Sequence, residues 1–146
     1  MPDSFLSRRD WLGLIARAPI ARLHALWPED APSFAWLRRP EAGAMMVQGR
    51  AGATGAAFNL GEVTVTRASV RLDCGATGHA MVQGRDPHKA ERAALLDALL
   101  QTPCGDRLQK EVLAPLQVAE IEEAGTHARR AAATKVDFST LVRGEG

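Results

Sequence analysis

The apolar residues near the start of the chain recur at a helical period. Positions i, i+3, i+4 and i+7 share one face of a helix, and four apolar residues have this spacing: Trp11, Leu14, Ile15 and Ala18. A proline follows directly, and proline interrupts a helix because it has no amide hydrogen to donate. The pattern therefore predicts two short helices within residues 8–26, with a break at Pro19.

The next stretch shows no regular period. It is rich in prolines and aromatic residues, namely Trp27, Pro28, Pro32, Phe34, Trp36 and Pro40. Prolines at this density disfavour a helix or a central strand. We therefore expect a loop here, held in place by its aromatic side chains.

Between residues 44 and 85 the pattern is typical of strands. Valine, threonine and methionine alternate with polar residues, glycines are frequent and lysine is absent. Such alternation between glycine-rich turns favours β-structure. We expect two or three strands, with candidates at residues 44–50, 61–72 and 77–85, forming a small antiparallel sheet.

Helical patterns return in residues 87–134. Asp86 and Pro87 suit the N-cap and the first helical position, and a proline and a glycine at positions 103 and 105 end this helix. A further helix is expected from about residue 106, meeting Pro115 and continuing as a polar helix to about residue 134. With the sheet, these helices predict the α+β class.

The last helix has a weakly apolar side made of small residues: Val118, Ile121, Gly125, Ala128 and Ala132. A helix with so little apolar area is marginal alone in water, so we expect it to dock on a partner chain. The tail at residues 135–146 carries further apolar side chains at Val136, Phe138, Leu141 and Val142. The N- and C-terminal helices and this tail are the predicted docking surface.

Length and charge narrow the class of protein. A chain of 146 residues has the size of one domain with one core, so residues 1–146 are expected to form a single domain.

A net charge of +1 gives no field that would gather nucleic acid or an anionic membrane, and no apolar run approaches the roughly 18 residues that span a bilayer. Cys74 and Cys104 form no C-x-x-C motif and indicate free thiols in a reducing compartment. These features predict a cytoplasmic protein.

One pentapeptide occurs twice. Met-Val-Gln-Gly-Arg stands at residues 46–50 and again at 81–85. On two strand ends, Arg50 and Arg85 would form a paired clamp for phosphate oxygens, with His79 as a further candidate for phosphate binding. The alternative is structural, with the arginines paired to carboxylates of this chain or of a partner.

Common catalytic signatures are missing from the sequence. No P-loop, dinucleotide-binding fingerprint or nucleophile elbow occurs. Cys74, His79 and His88 have no spacing that selects a metal site. The residues therefore predict no catalytic group, no metal and no cofactor on this chain.

Several separated blocks resemble the PhnG family, a subunit of the carbon–phosphorus lyase system for phosphonate use. They are Arg-Ala-Gly-Ala-Thr-Gly at 50–55, Leu-Gly-Glu-Val-Thr-Val-Thr-Arg-Ala-Ser-Val-Arg-Leu at 60–72, Val-Gln-Gly-Arg-Asp at 82–86, Ala-Glu at 90–91, Leu-Asp-Ala-Leu at 96–99, Val-Asp-Phe at 136–138 and Leu-Val-Arg-Gly at 141–144. They follow the family order over most of the chain. The sequence departs from the family at Met81, where an aromatic residue is expected.

The resemblance implies a function that spacing alone does not. It implies a cytoplasmic subunit that works with PhnI, PhnH and PhnJ and with the ATPase-like PhnL. The set of PhnG, PhnH, PhnI and PhnL would replace the adenine of ATP by methylphosphonate, giving ribose 1-methylphosphonate 5-triphosphate. PhnJ, a radical enzyme with an iron–sulfur cluster, would act on a later intermediate. The nucleosidase chemistry would belong to PhnI, so this chain would be a required partner and not the catalyst.

Two other functions stay open at this point. In one, the chain is an enzyme by itself, with Arg50 and Arg85 on a triphosphate and His79 or Glu62 as acid or base. In the other, it is a stand-alone module that binds phosphonate or nucleotide without transforming it.

Overall fold

Two short helices begin the part of the chain that the computed structural model describes, which is residues 5–27 and 32–136. Helix α1 spans Arg8–Arg17 and helix α2 spans Ile20–Ala25. The Ser7 hydroxyl accepts a hydrogen bond from the backbone N–H of Asp10 and so caps α1. Pro19 lies between the helices, which confirms the predicted break.

Three strands form one antiparallel sheet. Strand β1 spans Phe34–Arg50, β2 spans Ala57–Leu72 and β3 spans Thr77–Gln83. The order across the sheet is β1-β2-β3, so the longest pairing joins β1 to β2. The predicted α+β class and the antiparallel sheet are confirmed.

The first strand begins ten residues earlier than predicted, so the loop expected around Phe34, Trp36 and Pro40 is wrong. Phe34 and Trp36 are two residues apart on the strand, so both side chains pack toward the core. Their rings meet edge to face, with 5.0 Å between the centroids. Pro40 is tolerated because β1 is an edge strand and because its register with β2 is irregular between Arg38 and Glu41. The part of the predicted loop at residues 28–31 lies outside the described residues.

The C-terminal half is helical, as predicted. Helix α3 spans Pro87–Leu100, and the Asp86 carboxylate caps it by accepting a hydrogen bond from the Lys89 N–H at 2.9 Å. Helix α4 spans Gly105–Leu108 and α5 spans Ala114–Ala133, joined by a π-helical turn at Gln109–Leu113. The sequence did not predict this turn. It lies just before Pro115, which has no N–H to donate to a carbonyl oxygen one turn earlier, so the regular helical hydrogen bonding is interrupted there.

Helix α3 covers one face of the sheet and forms the centre of the core. Val70 on β2, Val82 on β3 and Leu96 on α3 are almost completely buried. The helix crosses β3 so closely at Gly78 that a Cβ there would lie 1.9 Å from the carbonyl oxygen of Ala94. Only glycine therefore fits at this crossing. Within residues 5–27 and 32–136, no helix is both long and apolar enough to cross a membrane.

Candidate functional site

A groove of about 550 Å³ lies between α1 and the sheet. Its accessible apolar wall includes Leu12 and Ala16 of α1 and Met81 of β3. Its polar residues come from all three strands and are Arg38 on β1, Arg67 and Ser69 on β2, and His79 on β3. A cavity of this size with one apolar side and a few convergent polar groups is typical of a small-molecule site.

Strand register brings the polar groups of β2 and β3 together. Ser69 lies directly opposite His79, and Arg67 lies opposite Met81. Because side chains alternate along a strand, these four residues share one face of the sheet. The Ser69 hydroxyl and His79 Nδ1 are 2.8 Å apart, in a hydrogen bond whose direction depends on the histidine tautomer.

Two guanidinium groups share one carboxylate at the groove. Arg38 Nη1 donates to Glu41 Oε1 at 2.9 Å, and Arg67 Nη2 donates to the same oxygen at 3.4 Å. The cluster therefore keeps one positive charge in excess. The Arg67 Nε is enclosed and has no hydrogen-bond acceptor among the residues that the structure describes.

A buried carboxylate fixes the position of His79. Asp97 on α3 is fully buried and accepts the backbone N–H of His79 at 2.9 Å. It also accepts the indole N–H of Trp11 at 2.9 Å, and the guanidinium of Arg8 at 3.1 Å through Nε and 2.8 Å through Nη2. The hydrogen bond to Asp97 raises the pKa of Arg8 above its ordinary value. This carboxylate thus ties α1, β3 and α3 together beside the groove.

Sequence reasoning missed Asp97 as a positioning residue. The signal was available, because Asp97 is the one charged residue in the apolar run at 93–100. A carboxylate on the buried side of a helix needs hydrogen-bond donors from elsewhere in the fold. The sequence did not show that Arg8, Trp11 and the His79 backbone supply them.

The residues predicted to bind phosphate lie in three places. His79 lines the groove. Arg50 lies at the turn between β1 and β2, where its guanidinium donates to the carbonyl oxygen of Gly55 at 3.0 Å. Arg85 is exposed between β3 and α3.

The structure does not bring the two arginines of the repeat together. Arg50 lies opposite Ala57 of β2, whereas Gln83, near Arg85, lies opposite Val65. These partners are about 26 Å apart at roughly 3.3 Å per strand residue. The identical pentapeptides thus lie on strands at opposite edges of the sheet, and a clamp formed by both arginines of one chain does not exist. Phosphate binding by either arginine separately stays a prediction.

The acid–base pair proposed from sequence is likewise separated. Glu62 lies opposite Met46, while His79 lies opposite Ser69. Along β2 these positions are about 23 Å apart at roughly 3.3 Å per residue. Among the described residues, no three His, Cys, Asp or Glu side chains gather in a way that would hold a metal ion.

A second feature is a two-stranded ribbon that we call the hairpin arm, residues 44–64. Apart from a hydrogen bond that the Thr64 carbonyl oxygen accepts from the Gly84 N–H at 2.8 Å, its strands pair only with each other, because β3 pairs with β2 from Val65 onward. The arm exposes large apolar side chains, with the exposed fraction in parentheses: Met45 (44%), Met46 (51%), Phe58 (47%) and Leu60 (68%). Phe58 and Leu60 both approach Gly49 and so lie on one face.

A small α+β domain with an apolar hairpin arm is typical of a subunit that assembles with other chains. Residues 6–144 match the family model described as "Phosphonate metabolism protein PhnG". The chain is 43% identical over 141 residues to the alpha-D-ribose 1-methylphosphonate 5-triphosphate synthase subunit PhnG of Rhizobium meliloti (strain 1021), covering 94% of this chain and 90% of that protein. The chain belongs to the PhnG family, which confirms the resemblance seen in the sequence.

Proposed function

We propose that this chain is a subunit of an alpha-D-ribose 1-methylphosphonate 5-triphosphate synthase, the assembly for which its relative from Rhizobium meliloti is named. In this function the complex takes ATP and methylphosphonate as its substrates and releases adenine. The chain contributes to the transferase by assembling with partner subunits. The proposed partners are the PhnI-like, PhnH-like and PhnJ-like subunits and the PhnL-like ATPase, in the cytoplasm.

The hairpin arm is the observation that carries this proposal. A two-stranded ribbon is at best marginally stable alone in water, and in the described chain no residue of 44–64 is buried and no third strand pairs with this ribbon. Covering Phe58 and Leu60 with a partner would contribute about 1.5–3 kcal/mol for each fully buried side chain. A partner subunit with an apolar surface would therefore both stabilise the arm and gain affinity from it.

Helix α5 supplies a second surface of the same kind. Its buried side is formed by Leu116 and Ala119, whereas Val118 and Ile121 are 56% and 65% exposed. The weakly apolar stripe expected to meet a partner is therefore not buried within the described chain. Its docking on a partner subunit stays a prediction. The tail at residues 137–146 lies outside the described residues.

Co-purification tests the arm directly. The tagged chain is co-expressed with its PhnI-like, PhnH-like, PhnJ-like and PhnL-like neighbours, and the bound subunits are quantified after affinity purification. We expect Leu60→Lys to reduce recovery of the partners strongly, because it places a charge in the apolar face. Leu37→Lys makes the same change at a leucine off the arm that is 47% exposed, and we expect it to leave recovery near wild type. Equal recovery with both variants would contradict docking through the arm.

A further inference from the structure

The charge balance of the groove favours an anion. Arg38 and Arg67 both donate to one oxygen of Glu41, so two positive charges face a single negative one. The Arg67 side chain is 41% exposed and remains open to a ligand. Guanidinium groups present several N–H donors in a fixed plane, which suits the oxygens of a phosphate or phosphonate.

An unused donor indicates where such a ligand would bind. Arg67 Nε is enclosed yet has no acceptor within the described chain, and an enclosed N–H without an acceptor is costly. Because this N–H has almost no solvent-accessible surface, an oxygen of the ligand would reach it only through a change in the Arg67 side-chain conformation. Across the β2–β3 pairing, the Ser69 hydroxyl and the His79 ring supply further polar groups 2.8 Å from each other. Together they offer donors to more than one oxygen of a tetrahedral anion.

The rest of the groove is apolar. Leu12, Ala16 and Met81 form an accessible wall beside the polar cluster, and the volume of about 550 Å³ exceeds what an inorganic anion fills. The hydrogen bond from the His79 N–H to Asp97 fixes the backbone of His79 before any ligand arrives.

We propose that the groove is a binding site for a small organic phosphate or phosphonate. Its anionic group would bind to Arg67, with Arg38, Ser69 and His79 beside it, and its carbon portion would lie against Leu12, Ala16 and Met81. The site is argued from the groove alone. The chain can therefore assemble as proposed and leave the groove empty, or bind an anion here and fail to assemble, and separate experiments report the two.

Phenylphosphonate and phenyl phosphate are suitable probes because each joins a tetrahedral anion to an apolar ring. Binding to the purified full-length chain is measured by titration calorimetry, with benzoate and inorganic phosphate as comparison ligands. We expect both phenyl probes to bind with 1:1 stoichiometry and more tightly than benzoate or inorganic phosphate. Binding of benzoate with equal affinity would overturn the assigned ligand class.

Matched variants localise the site. We expect Arg67→Gln to lower the affinity for phenylphosphonate roughly tenfold or more, since a charged hydrogen-bond donor is lost. Arg71→Gln makes the same change of charge four residues further along β2, at an exposed arginine outside the groove. We expect Arg71→Gln to leave the affinity for phenylphosphonate unchanged. Equal weakening by the two variants, or no binding of either phenyl probe at millimolar concentration, would overturn the proposal.

Chemical-shift mapping gives an independent readout. Addition of phenylphosphonate is expected to shift the amides of Ser69, Ala80 and Met81 in the labelled chain. Largest shifts at Arg50 or Arg85 would instead place the anion at the arginines of the repeat and contradict the groove. Ser69→Ala, which removes only a hydroxyl, is expected to weaken binding with the fold intact, so the test does not depend on Arg67 alone.

Discussion

The indole N–H of Trp11 donates a hydrogen bond to the carboxylate of Asp97 across 2.9 Å. Trp11 lies on α1 and Asp97 on α3, so this bond joins two helices through side chains that are 86 residues apart in sequence. The same carboxylate holds Arg8 and the backbone of His79. One buried acidic residue therefore links α1 to α3 and β3 beside the groove.

Removal of this carboxylate is expected to destabilise the whole domain. Asp97→Ala leaves the buried indole N–H of Trp11 and the partly buried backbone N–H of His79 without an acceptor, and we expect a loss of about 3–5 kcal/mol in the free energy of unfolding. Urea denaturation of the isolated chain measures this loss. Asp106→Ala, at an exposed aspartate in the first turn of α4, is the control and should change stability by only about 0.5 kcal/mol. A similarly small effect of Asp97→Ala would show that this network does not hold the fold.

Gly78 is expected to be irreplaceable at the crossing of β3 and α3. A Cβ there would lie 1.9 Å from the Ala94 carbonyl oxygen and 2.6 Å from the Ala98 nitrogen, both of which are backbone atoms. The helix would have to move away from the sheet, so we expect Gly78→Ala to cost about 3 kcal/mol or more. Gly61→Ala is the matched control, because a Cβ at Gly61 meets nothing within 4 Å. Thermal unfolding of the two variants at similar midpoints would contradict this close packing.

The ion pair between Arg17 and Glu120 is expected to make a small, pH-dependent contribution. The hydrogen bond from the Arg17 side chain holds the pKa of Glu120 below its ordinary value of 4.5. Since the folded pKa is the lower one, the stabilisation is present above pH 4.5 and disappears as the pH falls through the folded pKa. Both side chains are largely exposed, so the contribution is at most about 1 kcal/mol.

The stability difference between wild type and Glu120→Gln, measured by urea denaturation at two pH values, tests this pH dependence. We expect wild type to be slightly more stable at pH 7 and this difference in stability to be smaller at pH 3. A difference that stays constant between these values would mean that the charge of Glu120 is not its source.

Helix α5 is expected to gain protection when the chain enters its complex. Beyond Ala119 its residues are half-buried or exposed, and few tertiary contacts then oppose local opening of the helix. Amides 124–132 of the isolated chain should therefore exchange with solvent faster than those of α3, and they should slow on assembly. Full protection of these amides in the isolated chain would argue against a partner on this helix.

Local signals in the sequence predicted the elements but not how they meet. The break at Pro19 and the N-cap at Asp86 depend on single residues, and both were found correctly. The early start of β1 was missed because its prolines suggest a loop, while the pairing of Phe34 with Leu72 and Trp36 with Val70 is a long-range contact.

The candidate site was predicted in part. His79 was identified, but Arg38, Arg67 and Ser69 were not, since only strand register places them beside it. The repeated pentapeptide was misleading because identical sequences occupy strands on opposite sides of β2. Local sequence does not encode that separation.

The most direct test of the account is synthase activity with and without this chain. The PhnI-like, PhnH-like and PhnL-like subunits are prepared in both forms, and release of adenine from ATP plus methylphosphonate is measured together with the ribose 1-methylphosphonate 5-triphosphate product. We predict a stable complex, with product formed only when this chain is present. Product at an undiminished rate from the other subunits, with this chain eluting alone, would contradict its function as a synthase subunit.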